Sequence, residues 1–431
     1  MNPNYKHGAL MMEGVKLSTV ASVIGTPVYC YSRGAIEAAY MRYRQAFSAL
    51  PDTLVCYAVK ANTNQAVIGA LASLGAGADV VSEGELRRAL AAGVPAGKIV
   101  YSGVAKKRNE MAYALKAGIY QFNVESEPEL EALSDVAAGL GLTASIALRV
   151  NPDVDAKTHA KIATGKAENK FGIPWQRVRD VYRLAGALPG IRIQGIAMHI
   201  GSQLLSLEPY AAAYDRLAHM VVALQADGIR LASIDIGGGL GIAYEDDQPA
   251  PPAPAELATL AKQHLGHLGS RLIIEPGRSL LGPAGVLLAE VIYVKSGESR
   301  DFMIVDAAMN DLIRPAMYDA YHGVMPLVAR DGPCKVYDIV GPVCESGDTF
   351  ATARPMPEVT SGDLVAFKDA GAYGAVMAGT YNSRLLVPEV MIDGDQFGVI
   401  RPRGSYEALI GLDTAWQAVA VTDEPEAAPE A

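Results

Sequence analysis

From Leu54 to Gly277 the chain alternates between two hydrophobic patterns. Short runs rich in β-branched and aromatic residues read as strands: LVCYAV (54–59), ADVVS (78–82), IVYSG (99–103), YQFNV (120–124), TASIALRV (143–150), IRIQGIAMHI (191–200), LASIDIG (231–237) and RLIIEP (271–276). Between them, NQAVIGALASLG (64–75), EGELRRALAAG (83–93), NEMAYALKAG (109–118) and PYAAAYDRLAHMVVALQADG (209–228) carry helical period, and each closes on the glycine expected just past a helix. Eight strand–helix units in about 220 residues predict an α/β barrel, TIM-like and (β/α)8, rather than an open doubly wound sheet.

After Gly277 the helical period fades. GVLLAEVIYV, DFMIVDAAM, KVYDIVGPV, DLVAFKDAGAYGAVMAG and EVMIDGDQFGVIRPR predict a second, β-rich domain, joined by the N-terminal segment TPVYCYS (26–32). The division implied is a barrel over 35–280 and a C-terminal β-rich domain made of 1–34 and 281–418, with an acidic tail, 419–431, expected to be disordered. QPAPPAPA (248–255) predicts a loop before a barrel helix.

Composition narrows the function. Half of the 431 residues are hydrophobic and 19% charged, enough apolar material for a large core. The net charge of −10, with no basic stripe, argues against a nucleic-acid partner. Four scattered cysteines (Cys30, Cys56, Cys334 and Cys344) form neither a CxxC nor a metal-ligand pattern, so a reduced, cytoplasmic chain without a metal is expected. No signal-peptide core and no apolar run near the ~18 residues of a membrane span is present, so no membrane association is expected.

Barrel active sites form at the carboxyl ends of the strands. There the sequence places Lys60 after the first strand, Asp79 in the second, Arg149 in the fifth, His199 in the sixth, GGG (237–239) after the seventh and EPGR (275–278) after the eighth. A lysine at a strand end is ordinarily a snorkelling surface group. Here it shares one rim with a histidine, carboxylates and glycines at the usual phosphate cradle. Those are the parts of a pyridoxal-phosphate site, with Lys60 as Schiff-base amine and Glu275 as partner of the pyridine nitrogen. A dinucleotide reading of DIGGGLG fails because AYEDDQPAPP follows where the helix should begin.

YAVKAN, NPDVDAKTHAKIATGKAENKFGI (151–173), MHIGSQ, DIGGGLGI, EPGRSL, RPAMY (314–318), CESGDTFA (344–351) and AGAYG (370–374) occur in an order that resembles the diaminopimelate decarboxylases. These belong to the alanine-racemase-like fold group of pyridoxal-phosphate enzymes. The resemblance spans roughly residues 10 to 415; Ala160, where proline is common, is a minor departure. It implies that His199 stacks on the cofactor ring, that Ser202, Gly239 and Glu275 to Arg278, including Gly277, hold the phosphate, and that Asp79 assists. It further implies that Arg278, Arg314 and Tyr318 bind the carboxylate of the non-reacting amino-acid centre, that Glu345 takes its ammonium and that Tyr373 contacts cofactor or substrate. Cys344 would return the proton after carbon dioxide leaves, entering the active site of the other subunit of a homodimer.

The expected substrate is meso-diaminopimelate and the product L-lysine, because both charges at the distal end call for a complete amino-acid centre. Other decarboxylases of the fold, acting on ornithine, arginine, carboxynorspermidine or a carrier-linked amino acid, remain alternatives. So does a non-catalytic cofactor-binding module, although such modules lack a second domain. A racemase is disfavoured by Glu275, where the family racemases use arginine.

Overall fold

The computed structural model describes residues 3–50, 52–154, 170–245, 247–298 and 300–417. The expected disorder of 419–431, and Ala160 with the middle of the 151–173 motif, lie outside the described residues. All eight predicted strands form, as β1 (Leu54–Ala58), β2 (Gly77–Val80), β3 (Ile99–Tyr101), β4 (Gln121–Val124), β5 (Ala144–Asn151), β6 (Ile191–Ala197), β7 (Ser233–Asp235) and β8 (Arg271–Ile274). They pair in parallel in the order β5, β6, β7, β8, β1, β2, β3, β4. Pairing of Phe122 with Ile146 and Val124 with Leu148 returns β4 to β5 and closes the barrel.

The apolar runs have a direct cause. Every position of β1, β4 and β5 is buried, because one face looks into the barrel and the other meets the helices. The predicted helices form as Gln65–Ser73, Glu83–Ala91, Arg108–Ala117 and Glu208–Ala226, and Pro254–Leu265 follows the Pro/Ala loop. Gly118 takes the left-handed conformation that stops its helix.

The barrel interior is partly polar. Ser233 Oγ donates to Gln121 Oε1 at 2.8 Å, Gln121 Nε2 to Asn123 Oδ1 at 2.8 Å, and Asn123 Nδ2 to Asp235 Oδ2 at 3.0 Å. β4 and β7 are not neighbours, so these side chains meet across the interior. Each buried group finds a partner there, which offsets its desolvation.

Val28–Ser32 sits inside the second sheet, antiparallel to Gly285–Ser296 and parallel to Glu389–Asp393. That is the join expected of TPVYCYS. Asp301–Val305, Cys334–Val340 and Thr349–Pro357 extend the sheet on one side. Thr349–Pro357 and the three short strands within residues 4–16 were not legible as strands: the first is half-exposed without regular alternation, and the others run only 3, 4 and 2 residues. Among the described residues no helix is long and apolar enough to cross a membrane.

Candidate active site

Lys60 lies in the short turn Val59–Ala61 that leaves β1. Two asparagines shape this turn. Asn62 Oδ1 accepts from the Asn64 backbone N–H at 2.9 Å, and Asn64 caps the following helix by accepting from Ala66 N at 3.0 Å. The second domain holds the turn from outside: Tyr373 N donates to Ala61 O at 2.8 Å, and Asn62 Nδ2 reaches Gly371 O at 3.4 Å. Asn64 Nδ2 donates to Glu389 Oε1 at 3.2 Å, a third tie across the seam.

The lysine then faces carboxylates. Its Nζ donates to Asp79 Oδ2 at 2.7 Å, and the Asp79 side chain has no solvent exposure. Burial works against the Lys60 charge, but Asp79 and Glu275 outweigh it and hold the ammonium above its ordinary value. Burial, then the charges of Asp235 and Asp79, push the Glu275 carboxyl well above the carboxylate range, while Lys60 pulls it down. Burial likewise raises Asp235 to about 6, against the Gly237 N–H, which donates to its Oδ1 at 2.9 Å. The Asp235 charge is among the causes that raise Glu275, so these two buried carboxyls resist ionising together.

Beside this cluster is His199, just past the end of β6. Gly238 N donates to its Nδ1 at 3.2 Å, so that nitrogen carries the lone pair. Burial, then the Arg149 and Lys60 charges, keep the ring neutral by holding its pKa well below the usual range. The glycines behind it have no room for a side chain. Gly239 has φ +103°, and a Cβ there would lie 2.2 Å from Gly201 O; one on Gly238 would lie 2.1 Å from Glu275 O. Gly277 is hemmed by Ala58, Ala61 and the Tyr373 hydroxyl.

The opposite end of the cavity is cationic. Arg278 and Arg314 are buried, and among the described residues neither makes an ion pair with a carboxylate. Arg278 donates from Nη1 to Tyr244 Oη at 2.7 Å and from Nη2 to Ser202 Oγ at 3.2 Å, with Tyr373 4.8 Å from its guanidinium carbon. Arg314 lies 4.5 Å from the Tyr244 ring centre, and its Nη1 meets His322 Nε2 at 2.8 Å. One cavity of about 550 Å³ joins both ends, lined by Lys60, His199, Ser202, Gly239, Glu275, Gly277, Arg278, Arg314, Tyr318 and Tyr373.

The structure thus brings together every expected site residue except two and Asp79, which stands behind Lys60. Cys344 is exposed, its backbone N donating to Asn382 Oδ1 at 3.1 Å, and neither it nor Glu345 lines the cavity. Tyr244, His322 and Asp235 were missed by the sequence reading. Tyr244 and His322 lie in loops without periodicity, and only His322 has a signal nearby, the aromatic density of RPAMYDAYH (314–322); Asp235 reads as a position of the seventh strand.

Residues 33–282 match the family model described as "Pyridoxal-dependent decarboxylase, pyridoxal binding domain". The diaminopimelate decarboxylase of Zymomonas mobilis is 48% identical over 407 residues, 94% of this chain and 96% of that protein. That of Pseudomonas fluorescens is 50% identical over 407 residues, 94% and 97% of the two chains. Among solved structures, diaminopimelate decarboxylase from Helicobacter pylori complexed with L-lysine superposes with a TM-score of 0.89 at 40% identity, covering 92% of this chain and 99% of that one.

Proposed function

Because the chain belongs to the pyridoxal-dependent decarboxylases, and within them to the diaminopimelate decarboxylases, we propose that its cavity removes carbon dioxide from meso-diaminopimelate to leave L-lysine. This is a pyridoxal-phosphate-dependent lyase of lysine biosynthesis. The observation that carries the substrate reading is the two-ended cavity: a lysine among carboxylates at one end, two buried guanidinium groups without acidic partners at the other.

The buried atoms fit the cofactor. Glu275 Oε1 has no hydrogen-bond partner, as an acceptor reserved for a ring N–H would not, and Arg278 Nε is likewise unpartnered beside the glycine cradle. When bound, pyridoxal phosphate supplies the electron sink that receives the electron pair left by departing carbon dioxide. Lys60 Nζ would be the amine that holds the cofactor's aldehyde, with Asp79 Oδ2, 2.7 Å away, fixing its direction. Neutral His199 would offer a ring face, and Gly239, Gly277, Ser202 and Arg278, which line the same cavity, would hold the phosphate.

Arg314, Arg278 and Tyr318 grip the distal carboxylate, for which planar guanidinium donors are suited. Cys344 and Glu345, exposed and outside the cavity of their own chain, act in the site of a second copy. Cys344 Sγ there returns a proton to the carbon that lost carbon dioxide, and Glu345 accepts the distal ammonium. The test is to incubate the protein and pyridoxal phosphate with meso-diaminopimelate, ornithine or arginine, and measure the amine formed. Lysine from diaminopimelate alone is expected. Turnover only on ornithine or arginine would overturn the distal-carboxylate reading.

A further inference from the structure

Buried between the two domains' loops, His322 touches no part of the lysine end, yet both its ring nitrogens are committed. Its Nδ1 lies 2.7 Å from Lys368 O, and a carbonyl can only accept, so Nδ1 carries the hydrogen. Its Nε2 lies 2.8 Å from Arg314 Nη1, and a guanidinium can only donate, so Nε2 presents its lone pair. The two partners together demand the neutral Nδ1–H tautomer.

The surroundings lock this geometry. Tyr244 packs edge-on at 5.4 Å between ring centres, inclined by 75°. Lys368 N donates to Gly323 O, and Arg354 Nη1 donates to His322 O at 2.8 Å, so the carbonyl that orients the imidazole and the backbone that carries it are both tied. Burial and the Arg314 charge, in that order, bring the imidazole down to about 3, which agrees with the tautomer its partners require.

We propose that His322 is a positioning residue for the distal carboxylate: a neutral acceptor that fixes Arg314 by one N–H while leaving its positive charge uncancelled and its remaining donors aimed at the substrate. This rests on the diaminopimelate reading and deepens it. An aspartate or glutamate in the same place would also orient Arg314. It would, however, neutralise the guanidinium and remove the preference for an anionic substrate end. A neutral imidazole orients without competing, which explains how a buried arginine stays available.

L-lysine and 1,5-diaminopentane differ by the carboxylate alone, so the pair isolates its recognition. Calorimetric titration of both into the cofactor-loaded full chain gives dissociation constants without turnover. The wild type is expected to bind lysine more tightly. His322→Leu should lower that preference about tenfold or more, leaving diaminopentane binding unchanged as a check on folding. His322→Gln, whose Oε1 can stand where Nε2 stood, should keep most of the preference, and His322→Asn, too short to reach Arg314, should lose it.

If His322→Leu does not fold, the Gln and Asn variants decide, and equal preference in the two overturns the assignment. A preference undiminished in His322→Leu overturns it as well. A wild type that does not discriminate between the two ligands would instead refute the diaminopimelate reading itself.

Discussion

Replacing Lys60 with alanine removes a charge from a nest of carboxylates as well as the amine proposed to hold the cofactor. Asp79 is fully buried, accepts from Lys60 at 2.7 Å through Oδ2, and has no partner for Oδ1. Breaking a buried ion pair by deleting one member costs about 3–5 kcal/mol. The Lys60 side chain is 36% exposed toward the cavity, so water entering there offsets part of this and about 2 kcal/mol remains.

The cost depends on pH. Asp235 holds its proton to about 6 in the folded chain, Glu275 is also raised, and an unfolded carboxyl releases its proton near ~4. Between those values the folded state binds more protons than the unfolded, so stability falls as pH rises through the window. Lys60 lowers the Glu275 value, so its removal extends that fall upward. Lys60→Ala should therefore lie nearer wild type at pH 5 than at pH 8, where calorimetry of the cofactor-free protein should read a Tm lower by about 2 °C. Adding Asp79→Asn should recover most of this loss without restoring lysine formation. A Lys60→Ala variant as stable as wild type at pH 8, or a double variant no more stable than the single, would refute the reasoning.

Gly239→Ala puts a Cβ 2.2 Å from Gly201 O at φ +103°, so absorbance titration should find cofactor affinity reduced at least about tenfold; unchanged affinity would deny that the cradle needs glycine there. On the proposed sharing of Cys344 between two copies, mixed Lys60→Ala and Cys344→Ala chains, each inactive alone, should regain about a quarter of wild-type activity, because half the random dimers would hold one intact site. No recovery on mixing would place Cys344 in its own chain's chemistry or outside it. The neutral His322 stabilises the fold above about 6.5, and this contribution is lost as pH falls toward 3. His322→Gln should accordingly flatten the acid limb of a stability profile, and an unaltered limb would contradict the neutral assignment.

The barrel was legible because its strands are short, buried throughout and punctuated by glycine-ended helices, signals that need no knowledge of distant partners. The rim was legible for the same reason: once strands are placed, Lys60, Asp79, Glu275 and the glycines fall at their ends. Thr349–Pro357 was not, since a half-exposed strand with arginine and two prolines owes its pairing to Cys334–Val340 rather than to its own pattern. His322 and Tyr244 owe their significance to Arg314 and Arg278, contacts no local period encodes. Cys344 and Glu345 were singled out only through the resemblance, and a single chain leaves both at its surface.

The turn bearing Lys60 takes its bearings from both domains, through Tyr373 and Gly371 above and Glu389 beside it. The Lys60 amine and the two buried arginines thus share a single frame of alignment, and a slip of the sheet on the barrel moves Nζ with it. Reaction rates can fall about a hundredfold for a displacement of an ångström. Glu389, 325 positions along the chain from Asn64 and paired with Arg401, is then a distant adjustment screw for the chemistry. Damage to that seam would surface as slow turnover together with a lowered melting temperature, since Glu389 is itself buried and paired.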